Sequence, residues 1–137
     1  MSEKQIAPED EIHIFADGGC SAGTGGWAFL MRHLASGKEL EKSGKMLKTT
    51  ARRMELEAVV QGLVELKRAC RVEIFIDSTY VSEGITEMLT EWKSCGWQRN
   101  EGGKLVPVEN AETWKLLDAQ LARHSVKFTS VTPPGKQ

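Results

Sequence analysis

The sequence predicts an α/β protein built on one mixed β-sheet. Three segments with strand character come first, and glycine-containing turns join them. The next segment has apolar residues at every third or fourth position, which is typical of a helix, and it leads into a continuous apolar run, which is typical of a buried strand. Consecutive strands favour antiparallel pairing, whereas strands separated by helices favour parallel pairing. The order β-β-β-α-β-α-α-β therefore predicts five strands with both kinds of pairing.

Strand alternation and turns define the first part of the chain. Residues 1–10 are polar and are expected to form a flexible leader, followed by a single domain over residues 11–137. A strand over Ile12 to Ala16 is predicted to end on Asp17, with the glycine-rich segment GGCSAGTGG as a loop after it. The next two strands are expected over Trp27 to Leu34 and Lys38 to Leu47.

Helical periodicity defines most of the second part. A spacing of three and four residues predicts a helix from about Thr50 to Ala69; its apolar face comprises Leu56, Val59, Leu63, Leu66 and Cys70. Val72 to Ile76 is the buried strand. The remaining predictions are helical segments over Thr79 to Ser94, an irregular polar stretch GWQRNEGGKLVPVEN, a helix over Ala111 to His124, and a last strand over Val126 to Val131.

Composition is that of a soluble globular protein. The chain has 137 residues, of which 40% are hydrophobic and 27% charged, and no apolar run approaches the roughly 20 residues of a membrane span. Cys20, Cys70 and Cys95 are odd in number and widely spaced, so reduced thiols in a cytoplasmic protein are expected. The formal net charge of −1 does not favour nucleic-acid binding by itself.

Three carboxylates stand where a sheet of this kind gathers ligands. Asp17 and Asp77 each follow an apolar strand directly, and Glu55 lies in the first turns of the long helix, beside its apolar face. If the two strands are parallel neighbours, both aspartates emerge at the same edge. Each residue also has an ordinary structural explanation. Aspartates at strand ends commonly cap turns, and glutamates in the first turn of a helix interact favourably with the helix dipole. Position alone therefore makes this group suggestive.

Converging carboxylates without intervening bases need a cation to remain charged together. Oxygen ligands of this kind suit Mg²⁺ or Mn²⁺. Two such ions can activate a water and stabilise the leaving oxygen of a phosphodiester.

Four sequence blocks resemble those of the ribonuclease HI family. DGGC follows a strand, RMELEA lies on the next long helix, and DSTYV follows the next strand, in the order of the family's three catalytic blocks. WKSCGWQRNEGGKLVPVEN with TWKLLDAQL resembles the family's substrate-binding handle and the helix after it. The resemblance covers about residues 11–131. It implies an RNase H-like fold, with a five-stranded mixed sheet and helices on both faces, and a handle-like subdomain at about 87–110.

The same resemblance implies a function and its residues. The implied activity is two-metal hydrolysis of the RNA strand of an RNA/DNA hybrid, an endonuclease reaction with Mg²⁺ or Mn²⁺ as cofactor. Asp17, Glu55 and Asp77 would be the catalytic metal ligands, with Asp17 bridging two ions. The implied substrate-binding residues fall into three groups: the backbone at Gly18 and Cys20 against the minor groove, a phosphate site of the DNA strand at Lys48, Thr50 and Asn110, and the aromatic residues Trp92 and Trp97.

Other patterns have ordinary explanations. The glycine-rich segment is not a dinucleotide fingerprint, because that motif must open a helix and WAFLMRHL has the composition of a strand. PPGKQ lacks the first glycine and the Ser/Thr of a P-loop. The three histidines have no partner pattern for catalysis. The tryptophans could stack on bases, but packing in a small helical core is the favoured interpretation.

Two departures from the family pattern concern substrate contacts. Ala51 and Thr79 stand where relatives often carry amide side chains, and Arg52 could supply a phosphate contact instead. The handle region from Glu91 to Asp118 has four basic and five acidic residues, so weak binding with a shallow salt dependence is expected.

A third departure concerns the end of the chain. Family members usually continue into a loop with a histidine and a helix with a fourth catalytic aspartate, and no Asp or Glu follows Asp118 here. The expectation is that the C-terminal helix is absent, that Pro133-Pro134-Gly135 stops the last strand, and that water, the terminal carboxylate of Gln137 or a second chain would replace the fourth ligand. The alternatives to a ribonuclease H are a nucleic-acid-binding module with little catalysis and a truncated form that needs a partner. A monomer is expected, with a dimer covering the C-terminal edge as the alternative.

Overall fold

The computed structural model describes residues 6–131, which contain a five-stranded sheet and a two-stranded ribbon. The strands are β1 (Glu11–Ser21), β2 (Thr24–His33), β3 (Glu39–Leu47), β4 (Arg71–Ile76), β5 (Gln98–Glu101), β6 (Lys104–Pro107) and β7 (Ser125–Ser130). The order in the large sheet is β3-β2-β1-β4-β7. Strands β1, β2 and β3 pair antiparallel, whereas β4 pairs parallel with β1 and with β7. The predicted mixed sheet is confirmed.

The helices are α1 (Ala51–Val64), α2 (Thr79–Glu83), α3 (Leu89–Ser94) and α4 (Ala111–Arg123), and a π-helical turn over Gly84–Met88 joins α2 to α3. Helix α1 ends five residues before the predicted end at Ala69. After Val64 the chain closes with i→i+3 bonds, Glu65 N–H to Gly62 O and Leu66 N–H to Leu63 O. Leu66 and Cys70 are nevertheless buried in the segment after the helix. The spacing of apolar residues therefore continues past the helix end, which is why the sequence predicted a longer helix.

The glycine-rich segment is a β-hairpin, not the predicted loop. Strand β1 continues through Gly18, Gly19 and Cys20 to Ser21, which pairs with Thr24. Ala22 and Gly23 form the two-residue turn, with φ of 54° and 82°. Positive φ at both positions is the geometry that matches the twist of a hairpin. Asp17 therefore lies within a strand, paired with Ala28, and not at a strand end.

The handle region is more regular than expected. Strands β5 and β6 form an antiparallel ribbon within the stretch predicted to be irregular. Gly102 and Gly103, both with positive φ, form its turn. Because the ribbon is short and its residues are almost all exposed, its alternation was too weak to indicate strands. The region from Thr79 to Ser94 is helical, as predicted.

The core lies between one face of the sheet and the helices. Ile12, Ile14 and Ala16 of β1 are buried on this face, in one cluster with residues of α1 and with Trp114 and Leu117 of α4. On the opposite face, which we call the open face, Phe15 is 40% exposed and stacks on Phe75 with ring centroids 4.7 Å apart. The predicted fold, a five-stranded mixed sheet with packed helices, is confirmed within residues 6–131.

The end of the predicted leader is anchored and not flexible. Arg68 donates two hydrogen bonds to the Asp10 carboxylate, at 2.6 and 2.7 Å, and Asp10 is almost completely buried. These bonds, helped by the positive charge of Arg68, lower the pKa of the Asp10 carboxyl below its ordinary value, although burial opposes the shift. Asp10 O also accepts from Arg71 N–H at 3.0 Å, which ties the start of β1 to β4.

The last described strand, β7, is an edge of the sheet next to β4. The predictions about Pro133-Pro134-Gly135, Gln137 and a missing C-terminal helix lie outside the described residues. None of the helices in residues 6–131 is long and apolar enough to cross a membrane.

Candidate active site

Parallel pairing brings Asp17 and Asp77 to the same end of the sheet. Ala16 of β1 pairs with Ile76, the last residue of β4, and Asp17 and Asp77 are the next residues along the chain. Neighbouring strands are about 4.8 Å apart, so the two aspartates stand side by side. The prediction that both emerge at one edge is confirmed by this register. Val72, Ile74 and Ile76 of β4 are buried in the core on one face of the sheet.

Glu55 reaches this edge because α1 packs directly on β1. A Cβ added to Gly18 would lie closer than 3.0 Å to Met54 C, Met54 O and Glu55 N. The absence of a side chain at Gly18 therefore lets the backbone of β1 touch the backbone of α1 at the residue that carries the carboxylate. The sequence reasoning assigned this glycine a close approach to a nucleic acid, whereas the structure shows a close approach to the helix.

A serine next to Asp77 holds the Glu55 carboxylate. Ser78 Oγ donates to Glu55 Oε1 at 2.6 Å, a short bond typical of a hydroxyl on a carboxylate. Ser78 Oγ also accepts from Val81 N–H at 3.2 Å, which caps α2. Ser78 is buried, so one side chain both begins the helix and orients a candidate ligand. The sequence reasoning missed this residue, although its place in DSTYV as a helix N-cap could have pointed to it.

The three carboxylates have the oxygen chemistry that a divalent cation needs, but their side chains do not surround a common point. Glu55 and Asp77 line a cleft of about 480 Å³ together with Arg52 and Tyr80. Asp17 lines two neighbouring depressions, on the open face and beside the hairpin. In the part of the chain that the structure describes, no three acidic, cysteine or histidine side chains are close enough to hold a metal ion. Ion binding would therefore need side-chain rotation at this edge.

The implied phosphate site lies around the start of α1 and the start of α4. Thr50 Oγ1 accepts from Arg53 N–H at 3.1 Å and is the N-cap of α1. Lys48 is exposed in the preceding loop, where it has a φ of 54°. Cys20 Sγ donates to Thr49 O at 3.3 Å, so the hairpin is attached to this loop. These contacts make Thr50 and Cys20 structural residues as well as candidate substrate contacts.

Asn110 is held by a tyrosine that the sequence reasoning did not single out. Tyr80 Oη accepts from Asn110 Nδ2 at 3.1 Å and from Trp114 Nε1 at 2.9 Å. Asn110 has a φ of 59° at the start of α4 and makes no side-chain cap. One N–H of its amide is therefore bonded to Tyr80, which follows Asp77 by three residues and links the carboxylate edge to the implied phosphate site.

The two tryptophans proposed to stack on bases differ in exposure. Trp92 is 8% exposed and packs on the fully buried Trp114, with ring centroids 5.2 Å apart. Burial at this level makes Trp92 a core residue, which agrees with the packing interpretation. Trp97 is partly exposed, has a φ of 64°, and has the Lys115 ammonium 6.0 Å from its ring centroid. Of the two, Trp97 retains an accessible ring.

Comparison with known proteins shows which family this chain matches. The RNase H family model matches residues 9–133. Ribonuclease H of Bordetella avium is 47% identical over 123 residues, covering 88% of this chain and 77% of that protein. Ribonuclease H of Rhodopirellula baltica is 44% identical over 122 residues, with the same coverage of 88% and 77%.

Solved structures give the same fold. LC9-RNase H1, described as a type 1 RNase H with the type 2 active-site motif, superposes with a TM-score of 0.77 at 24% identity, over 95% of this chain and 66% of that one. LC11-RNase H1, solved in complex with an RNA/DNA hybrid, superposes with a TM-score of 0.64 at 20% identity, over 91% of this chain and 87% of that one.

A mixed five-stranded sheet with acidic residues at the meeting point of β1, β4 and α1 defines an RNase H-like α/β protein. The chain belongs to the ribonuclease H family, since the family model spans most of it and the two relatives named above share 44% and 47% identity with it. These relatives support a nuclease that hydrolyses phosphodiesters.

Proposed function

We propose that this protein hydrolyses the RNA strand of RNA/DNA hybrids with divalent metal ions held by Asp17, Glu55 and Asp77. The observation that carries the proposal is that β1, α1 and β4 bring these three residues to one edge of the sheet, in a member of a ribonuclease family. Mg²⁺ or Mn²⁺ fits three oxygen ligands of this kind.

Each residue has a distinct task in this proposal. When bound, two ions would supply the Lewis acidity that activates a water and stabilises the leaving oxygen of the phosphodiester. Asp17 would be the ligand shared by both ions, as the family resemblance implies. Ser78 keeps Glu55 turned towards the carboxyl end of β4. Lys48, Thr50 and Asn110 would hold a phosphate of the DNA strand.

The setting of the enzyme is part of the proposal. Free cysteines at Cys20, Cys70 and Cys95 in the described chain support a reducing compartment such as the cytoplasm. The solved LC11-RNase H1 complex with an RNA/DNA hybrid supports the choice of substrate. A monomer is the simplest active form, and a dimer across β7 is the alternative.

One observation favours a second candidate, a hybrid-binding module with little catalysis. Asp17 opens on depressions that Glu55 and Asp77 do not line, so the carboxylates need to rotate before they can share an ion. If that rotation is costly, binding would persist while hydrolysis would be slow.

An assay with labelled RNA in a hybrid separates the two candidates. The purified chain is incubated with Mg²⁺ or Mn²⁺, in parallel with Asp17→Asn and a charge-matched control, Asp118→Asn. The Asp118 carboxylate is not one of the three candidate ligands and pairs with Lys93 at 3.2 Å. We expect cleavage by the parent and the control and loss of cleavage in Asp17→Asn. Hybrid binding without cleavage by the parent in either metal would refute the enzyme and support the module. A calorimetric titration with Mn²⁺ tests the metal site directly.

A further inference from the structure

Arg52 occupies an unusual position beside the implied phosphate site. Its guanidinium carbon lies 5.0 Å from the centre of the Tyr80 ring, and its Nη1 donates to Glu109 Oε1 at 3.1 Å. The three residues come from α1, α2 and the loop before α4, so the fold brings them together over 57 residues of sequence. A cation stacked on an aromatic face keeps its orientation without a carboxylate partner.

Tyr80 connects Arg52 to Asn110. The Tyr80 hydroxyl accepts from Asn110 Nδ2 and donates to Glu109 O at 3.4 Å, while its ring carries the Arg52 guanidinium. Arg52 and Asn110 thus share one support, next to a cleft that Glu55 and Asp77 line. A nucleic-acid backbone that reaches Asn110 would also come within reach of Arg52.

The ion pair between Arg52 and Glu109 is exchangeable. The side chains of Arg52 and Glu109 are 61% and 47% exposed, and exposed pairs of this kind contribute little to stability. A phosphate is a better partner for a guanidinium, because two N–H groups can bond two phosphate oxygens in parallel. Replacing the carboxylate by a phosphate would leave the stack on Tyr80 intact.

We infer that Arg52 is a phosphate-binding residue of the hybrid site, and that Glu109 occupies it in the free protein and competes with the substrate. The inference rests on the proposed function, and it adds a specific contact and an intramolecular competitor to it. The ligand is a phosphate of the nucleic-acid backbone. Arg52 thereby supplies affinity at a place where Ala51 and Thr79 offer no amide group.

Binding of a fluorescent RNA/DNA hybrid in EDTA tests the inference without catalysis. Glu109→Gln is compared with Glu65→Gln, which makes the same change in net charge and frees Lys42 from an exposed pair of 2.6 Å. Glu65 follows the far end of α1, roughly 20 Å from Arg52 at 1.5 Å per residue. We expect Glu109→Gln to bind about two- to fivefold more tightly than the parent, the size of an exposed ion pair, and Glu65→Gln to bind like the parent. The slope of log affinity against log salt should steepen by up to about 0.9, the value for one additional phosphate.

A double-mutant cycle with Arg52→Gln identifies the residue that responds. Arg52→Gln should weaken binding, and Glu109→Gln should have no further effect in that background. An equal gain from Glu109→Gln with and without Arg52 would overturn the inference, as would identical binding by Glu109→Gln and Glu65→Gln or no binding by any variant. Circular dichroism confirms that each variant is folded. Failure of the proposed function would appear separately, as hybrid binding by the parent without cleavage in Mg²⁺ or Mn²⁺.

Discussion

Replacing Gly18 by alanine should damage both stability and catalysis. The added Cβ would lie closer than 3.0 Å to three backbone atoms of Met54 and Glu55, whereas ordinary contact starts at 3.4 Å. Overpacking of this kind costs typically about 1–3 kcal/mol, and we expect the upper end, because backbone atoms within a helix cannot rotate away as a side chain can. Relief would come from moving β1 and α1 apart, which displaces Asp17 relative to Glu55. A misplacement of about 1 Å in a catalytic group can cost on the order of 100-fold in rate.

The adjacent glycine provides a matched control. A Cβ on Gly19 would meet no atom within 4 Å, and Gly19 is in the same strand. Gly19→Ala should therefore keep the free energy of unfolding within about 0.5 kcal/mol of the parent, as for other changes that disturb no contact. Guanidinium denaturation measures stability, and hydrolysis of a hybrid measures the rate. Equal stabilities of the two variants would refute the proposed backbone contact between β1 and α1.

Three further outcomes follow from contacts in the structure. Ser78→Ala should raise the Mn²⁺ concentration needed for half-maximal binding, because Glu55 loses its 2.6 Å donor, and Ser78→Thr should restore it; an unchanged calorimetric midpoint in Ser78→Ala would count against this role. Asp10 has a lowered pKa in the folded state, so its contribution to stability is present above a pH of about 4, where an unfolded aspartate has lost its proton, and is lost as the pH falls towards the lower folded value. Asp10→Asn should therefore have a shallower decline of unfolding free energy in acid, and an equally steep decline would contradict the Arg68 contact. Burial raises the pKa of the Cys70 thiol, so at neutral pH a thiol reagent should label the exposed Cys95 first and Cys70 last; fast labelling of Cys70 in the folded protein would disprove its burial.

The sheet could be predicted from sequence because its signals are local and redundant. The continuous apolar run of β4 and the helical period of α1 each point to one type of element, and together they imply parallel pairing with β1. The extents of the strands were less accessible. Gly18 and Gly19 have no side chains that could show a strand pattern. Their backbone nevertheless pairs with β2, so β1 extends to Ser21.

The candidate site divides in the same way. Asp17, Glu55 and Asp77 lie in recognisable sequence motifs. The residues that hold the site in place, in contrast, make contacts with residues far away in the sequence. Ser78 lies 23 residues from Glu55, and Tyr80 lies 30 residues from Asn110. The N-cap position of Ser78 points to a bond with its own helix but not to Glu55, and no local pattern indicates the partners of Tyr80. The supports therefore became visible only with the tertiary structure.

The ion pairs of the handle give a physical cause for the shallow salt dependence expected from its composition. Lys93 pairs with Asp118 at 3.2 Å, Arg99 with Glu101 at 3.2 Å and Lys115 with Glu112 at 3.3 Å. A phosphate that takes one of these cations must displace a carboxylate, so fewer counterions are released for each contact made. Low net charge alone would make binding weak. Only the ion pairs predict that removing a carboxylate, with no cation added, steepens the slope of log affinity against log salt concentration. Glu101→Gln, which leaves Arg99 in place without its partner, is the direct case, and an unchanged slope in a variant that binds more tightly would assign the effect to net charge instead.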